Sequence, residues 1–297
     1  FLFFGSALVR LLWGFNILEN PEVLQDYNDP FVMDANRLLL LFQHLGFFIV
    51  PGLVFLVLST PDPKGFVLWK TNKIRVFNVI AATVLVFSLM PLVNFLVGWN
   101  QSISLPDFMS GFEATIKTME ESAEKLTEAL VKMDSISDFL YMVILVAVMP
   151  AIGEELMFRG IIQRLLAEQF RNYHWGIWGS AFLFSAIHMQ FYGFFPRMFL
   201  GASFGYLLVW TGNIIYPMLA HFINNFASLL VAYLIQHGRI PTEFDTVGEN
   251  QEWQYILPGM VFSILLFYYF WKNRDVNLLK SYAIIPEYPD FHNNSNE

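Results

Sequence analysis

Seven runs of roughly twenty mostly apolar residues are spread along this chain, and nothing else restricts its folding as much. They are Leu38–Leu58, Val76–Trp99, Phe139–Phe158, Trp175–Tyr192, Phe194–Trp210, Ile214–Ile235 and Tyr255–Trp271. Each is near the length that crosses the hydrocarbon core of a bilayer, where every backbone N–H and C=O needs a partner within the segment. Helices meet that demand. With 56% hydrophobic and 14% charged residues among 297, and a mean hydropathy of +0.48, the composition lies outside that of soluble domains. The expectation is an all-α polytopic transmembrane helix bundle of seven to eight spans. The eighth segment, Phe1–Leu18, carries Arg10 near its middle and reads either as a span or as an amphipathic helix lying in the interface. The chain opens on Phe, so a trimmed N-terminus is expected and this segment is not read as a signal peptide.

Orientation follows from Lys and Arg in the short loops, which are enriched on the cytoplasmic side. Lys64, Lys70, Lys73 and Arg75 follow the first run, Arg159, Arg164 and Arg171 follow the third, and Lys272, Arg274 and Lys280 follow the last. These belong to the cytoplasmic face. By alternation, the loops with Glu19, Glu22, Asp26, Asp29 and Asp34, with Glu120 to Glu128, and with Glu243, Asp245, Glu249 and Glu252 fall outside. If Phe1–Leu18 spans, both termini are cytoplasmic.

Between the second and third runs, Phe108, Phe112, Ile116, Met119, Ala123, Leu126, Leu130 and Met133 recur at steps of three and four. That spacing predicts an amphipathic extra-membrane helix near 107–134, on the outer surface of the bundle or bilayer, with a partner-binding arm as the alternative. Three regions are expected: 1–137 with the N-terminal spans and this helix, 138–235 as a transmembrane core, and 236–297 with the last span and a polar tail. The 25 acidic residues cluster in loops and on this helix, so no nucleic acid partner is expected. Cysteine is absent, which excludes disulfides, thiolate metal sites and a cysteine nucleophile.

Ionisable groups inside a bilayer cost several kcal/mol on most scales and usually mark a functional cavity. Glu154 and Glu155 follow the apolar run that ends at Pro150, with Arg159 one turn beyond. On a helix Glu155 and Arg159 share a face and can pair, while Glu154 points about 100° away. Two adjacent carboxylates in a low-dielectric site cannot both ionise freely, a situation that suits a general base. The plainer reading is that they mark the cytoplasmic end of a span, with Arg159 and Arg164 as its anchors. His188, with Phe184 one turn before it, and His221, with Asn225 one turn after it, lie in two further apolar runs. A single buried histidine is commonly a packing residue, but three polar groups on three helices are a stronger signal. Counted from the cytoplasmic ends at about 1.5 Å per residue, His188 lies about 20 Å deep and His221 about 10 Å. Pro150 is expected to kink its helix and free carbonyls toward a cavity, and Gly201 and Gly205 to form a packing face. His44 reads as a packing residue, and His174, His237 and His292 as loop or tail residues.

Glu154, Glu155 and Arg159 in an E-E-x-x-x-R pattern, Phe184 and His188 in F-x-x-x-H, and His221 and Asn225 in H-x-x-x-N stand in order on successive helices. The set resembles the CPBP family of intramembrane proteases, the type II CAAX prenyl endopeptidase and bacteriocin-processing group, over about Met142 to Val231. The resemblance implies an intramembrane endopeptidase acting on a membrane-associated or lipidated, CAAX-like substrate, in a bacterial inner membrane, with an active site open toward the cytoplasm. It implies that Glu154 and His188 activate a water, that Glu155 assists under the hold of Arg159, and that His221 and Asn225 stabilise the oxyanion. It leaves the metal open: Glu154, His188 and His221 could form a three-ligand zinc site, or a bare water could be used. The alternatives are a non-catalytic membrane scaffold of the same fold and a proton-coupled transporter, the latter disfavoured because the chain shows no related halves.

Overall fold

The computed structural model describes residues 2–70 and 74–275. Lys73, Lys280, His292 and the polar tail fall outside the described residues. Among those described the fold is all-helical, as expected. Its helices are α1 (Leu2–Trp13), α2 (Pro30–Ser59), α3 (Val76–Gln101), α4 (Ser110–Leu130), α5 (Ile136–Phe170), α6 (Tyr173–Ala186), α7 (Phe194–Thr211), α8 (Ile215–Gln236) and α9 (Trp253–Lys272). Local chemistry sets their ends. The Asp29 side chain accepts from the Phe31 N–H with Pro30 in the first turn, Ser135 and Asp138 form a capping box at the start of α5, and Asn172 caps α6. Gly212, in the left-handed region at φ 64°, ends α7.

Five helices, α2, α3, α5, α8 and α9, are long and apolar enough to cross a membrane. The expected count of seven to eight rests on three further segments, which fold as α6 of 14 residues, α7 of 18 and α1 of 12. The run read as Trp175–Tyr192 is not one helix. It stops at Ala186, and residues 187–193 turn back into α7. Irregular backbone at such a depth is tolerated where it lines a cavity or is covered by protein. Both hold here: Ile187, His188, Gln190 and Gly193 face a cavity, and the Glu120 carboxylate of α4 accepts the Tyr192 N–H at 2.9 Å.

Helix α5 carries π-helical turns at Val143–Val148 and Glu155–Ile162, and α2 carries one at Leu45–Ile49. Proline follows the first and third, at Pro150 and Pro51. Such turns widen a helix locally and recur at functional sites. The two helices meet closely there. A Cβ on Gly153 would lie 2.9 Å from Ile49 and 3.1 Å from Phe48, and one on Gly52 would lie 3.2 Å from Leu156. Paired glycines thus bring α2 alongside α5 at the level of Glu154.

Helix α4 is the expected amphipathic helix, preceded by a single 3₁₀ turn at Asp107–Met109. It is tied down at its C-terminal end. The Arg37 guanidinium donates to the carbonyls of Leu130 and Lys132, and the Gln236 amide accepts from Met133 N–H and donates to the Val131 carbonyl. These contacts put α4 at the bundle end that carries the start of α2 and the end of α8.

The packing of α6 on α5 generates a test. A Cβ on Gly176 would sit 2.6 Å from the Gln163 carbonyl oxygen and 2.7 Å from the Ala167 Cβ, while one on Gly111 of α4 meets nothing within 4 Å. Gly176→Ala is expected to cost about 1–3 kcal/mol through overpacking. Gly111→Ala should be neutral or slightly stabilising, because alanine favours the helix. Thermal unfolding of both variants in one detergent separates them: Gly176→Ala lowers the midpoint and Gly111→Ala does not.

Candidate active site

Arg159 and Glu155 are both essentially inaccessible, and their side chains meet: Arg159 Nη1 lies 3.0 Å from Glu155 Oε1. The same oxygen lies 2.8 Å from His221 Nδ1. Desolvation of an ion is costly unless it is paired with good geometry, and this arrangement supplies the pairing. The guanidinium also lies over the Phe184 ring at 4.4 Å. Gly201 makes the room: a Cβ there would be 3.1 Å from Arg159 Nη2 and 3.3 Å from Phe184. Gly205, one turn on, faces Gln163, whose amide donates to the Gly205 carbonyl at 3.2 Å. The expected small-residue face therefore packs α7 onto α5 and α6. Ser180 of α6 contributes as well, donating to the Phe158 carbonyl inside the π-helical stretch at 2.8 Å.

A carboxylate oxygen can only accept, so His221 carries its proton on Nδ1 toward Glu155. Its Nε2 then faces Glu154, 3.9 Å from Oε2. On the other side of Glu154, His44 Nδ1 stands 3.9 Å from Oε1. Both distances exceed hydrogen-bond length. Glu154 is thus placed between two imidazoles at the wall of the cavity rather than locked by either. His188 is fixed in the same tautomer as His221, because its Nδ1 donates to the Phe184 carbonyl at 2.7 Å and leaves Nε2 as an acceptor. The depth difference between the two histidines appears as a stack: their rings contact the Phe184 ring at centroid distances of 5.1 Å for His188 and 6.2 Å for His221.

Asn225 has a structural tie. Pro150 has no N–H to offer the carbonyl four residues before it, Val146, and the Asn225 Nδ2 donates to that carbonyl at 2.9 Å. Asn224 Nδ2 in turn donates to Asn225 Oδ1 at 3.1 Å. The freed carbonyl expected from Pro150 is therefore present and already matched by the motif asparagine.

Glu154, His188, His221 and Asn225 line one cavity of about 700 Å³, while Glu155 and Arg159 lie behind its wall. Sequence reasoning missed three further lining residues: His44, Asn224 and Arg197, whose guanidinium donates to Gln190 Oε1 at 2.7 Å. For His44 the signal was available, since it is the one ionisable residue within Leu38–Leu58. No group of three or more His, Asp or Glu among the described residues is arranged to hold a metal ion. Ala123, Leu126, Thr127 and Leu130 of α4 line the cavity, which places it toward the α4 end of the bundle. That end is outside by the Lys and Arg pattern. The cytoplasmic opening implied by the family resemblance and the orientation read from the loops therefore conflict.

The buried pair can be tested by a double-mutant cycle. Arg159→Met leaves the Glu155 charge uncompensated and is expected to destabilise by about 3–5 kcal/mol. Adding Glu155→Gln removes that charge, so the double variant should unfold at a higher temperature than Arg159→Met alone.

Residues 136–227 match the family described as Type II CAAX prenyl endopeptidase Rce1-like, and the match contains every motif residue from Glu154 to Asn225. The chain is also similar to the Uncharacterized protein YpbD of Bacillus subtilis (strain 168), with 31% identity over 85 residues. Those residues cover 27% of this chain and 40% of YpbD, so the chain spans less than half the length of that relative. No solved structure gives a significant match. At family level the match implies intramembrane CAAX protease chemistry, in agreement with the resemblance carried by the motifs. The chain has several helices long and apolar enough to cross a membrane, and its residues 136–227 are similar to the Rce1-like type II CAAX prenyl endopeptidases.

Proposed function

We propose that this protein is an intramembrane endopeptidase that cleaves a membrane-associated or lipidated peptide through a water activated by Glu154 and His188. The observation that carries this reading is the shared cavity, which brings together Glu154 of α5, His221 of α8 and His188 of the turn after α6. In the reaction, the Glu154 carboxylate accepts a proton from water while His188 Nε2 accepts the second hydrogen bond and aims the oxygen. The oxygen adds to the scissile carbonyl. The proton held by Glu154 then passes to the leaving amine as the C–N bond breaks, so no covalent enzyme intermediate is required.

Glu155 and Arg159 act from behind the wall by holding His221. His221 and the second Asn225 N–H then face the developing oxyanion. Such donors commonly supply about 3–4 kcal/mol each. His44, 3.9 Å from Glu154, is a positioning residue that keeps the carboxylate turned toward the water.

The test is cleavage of quenched fluorogenic membrane and prenylated peptides by purified protein in detergent. Glu154→Gln is expected to lower kcat/KM by at least about 100-fold, the lower range for general-base loss, without lowering the unfolding midpoint. Full activity in Glu154→Gln would overturn the reading and favour a scaffold. Activity is also expected to survive a chelator. Loss on chelation, with recovery on adding Zn²⁺, would replace the bare-water route by a metal.

A further inference from the structure

Two orientations meet in this fold, and only one fits where the cavity opens. The connections at one end of the bundle, with described residues 60–70, 74–75, 171–172, 212–214 and 273–275, carry Lys64, Lys70, Arg75, Arg171 and Arg274. Those at the other end, 14–29, 102–135, 187–193 and 237–252, hold more residues in all and carry only Lys117, Lys125, Lys132 and Arg239. Short, densely basic connections stay in the cytoplasm. The cavity reaches toward the second end. Its lining includes residues of α4, Gln43 in the first half of α2, Val97 near the end of α3, and Gln190 in the 187–193 turn. The basic connections reach no part of the cavity lining.

We propose that the catalytic cavity opens on the extracytoplasmic face, beneath α4, so that the peptide cleaved is one leaving the bilayer on that side. This rests on the protease reading. The chemistry of the cavity describes the substrate further. Its polar groups include Glu154, His44, His188 and His221, while Leu40, Val97, Leu126 and Leu130 add apolar lining. A substrate fits it as an extended apolar segment just outside a membrane span. A prenylated terminus exposed only in the cytoplasm would have no entrance.

The absence of cysteine makes the test direct. Single cysteines are placed at Ser122 on the exposed face of α4, at Gln43 in the cavity lining, and at Gln169, exposed at the basic end. Intact cells are treated with a membrane-impermeant maleimide, before and after permeabilisation. Ser122→Cys and Gln43→Cys are expected to label in intact cells, and Gln169→Cys only after permeabilisation. If either of the first two fails to label ahead of Gln169→Cys, the proposal is overturned. Labelling needs no proteolysis, so this outcome is separate from failure of the protease reading. A single-span reporter with the same apolar linker on one or the other side of its span then tests the substrate. Cleavage of the outward linker alone, lost in Glu154→Gln, supports the proposal, and cleavage of the inward linker alone overturns it.

Discussion

The contact on which the site depends is the buried one between Arg159, Glu155 and His221. A guanidinium and a carboxylate taken out of water on the same helix would each be strongly unfavourable alone, and their pairing makes the segment tolerable in the bundle. Because Glu155 Oε1 serves both Arg159 and His221, the ion pair also sets the tautomer and direction of the imidazole on α8. The ring face of Phe184 and the missing side chain of Gly201 complete the pocket around the cation. Helices α5, α6, α7 and α8 are thereby fixed relative to one another by a group that never faces the cavity. Glu154 is left free of that network, next to it in sequence but turned to another side.

The helix that carries the two adjacent glutamates is not regular. The π-helical stretch Glu155–Ile162 begins at the boundary between them, and Pro150 lies one turn earlier. Removing the Pro150 N–H exposes the Val146 carbonyl, and Asn225 from α8 closes the gap. The asparagine of the motif therefore couples the distortion of α5 to the position of α8. That bond uses one of the two hydrogens on the Asn225 amide nitrogen.

Much of this was legible in the residues. The apolar runs give helices because the bilayer offers backbone groups no other partner, and the amphipathic period at 107–134 gives α4 directly. The Glu155–Arg159 pair follows from their spacing, and Phe184, His188 and His221 from their isolation in apolar surroundings. What was not legible depends on helix ends and on packing between distant segments. Trp175–Tyr192 reads as one span because Met189, Phe191 and Tyr192 continue the apolar run past His188 and Gln190. The turn is made possible by α4, whose Glu120 accepts the Tyr192 N–H, and this pairing over 72 residues of sequence has no local signature. His44 read as packing because its partner, Glu154, is brought to it by the glycine contacts between α2 and α5.

The same distribution explains why the matched domain is not the whole site. Residues 136–227 supply the acidic, imidazole and amide groups, but the walls that enclose them come from α2, α3 and α4. A polar hollow at mid-membrane must be shielded from lipid, or the unpaired groups would face hydrocarbon at several kcal/mol each. An amphipathic helix suits that role: its apolar stripe faces the cavity through Leu126 and Leu130, and its charged face, with Glu121, Glu124 and Lys125, faces water. The chemistry is thus carried by one part of the chain and access to it by another. Change in α4 or in the first half of α2 can alter which peptide enters without touching the groups that would cleave it.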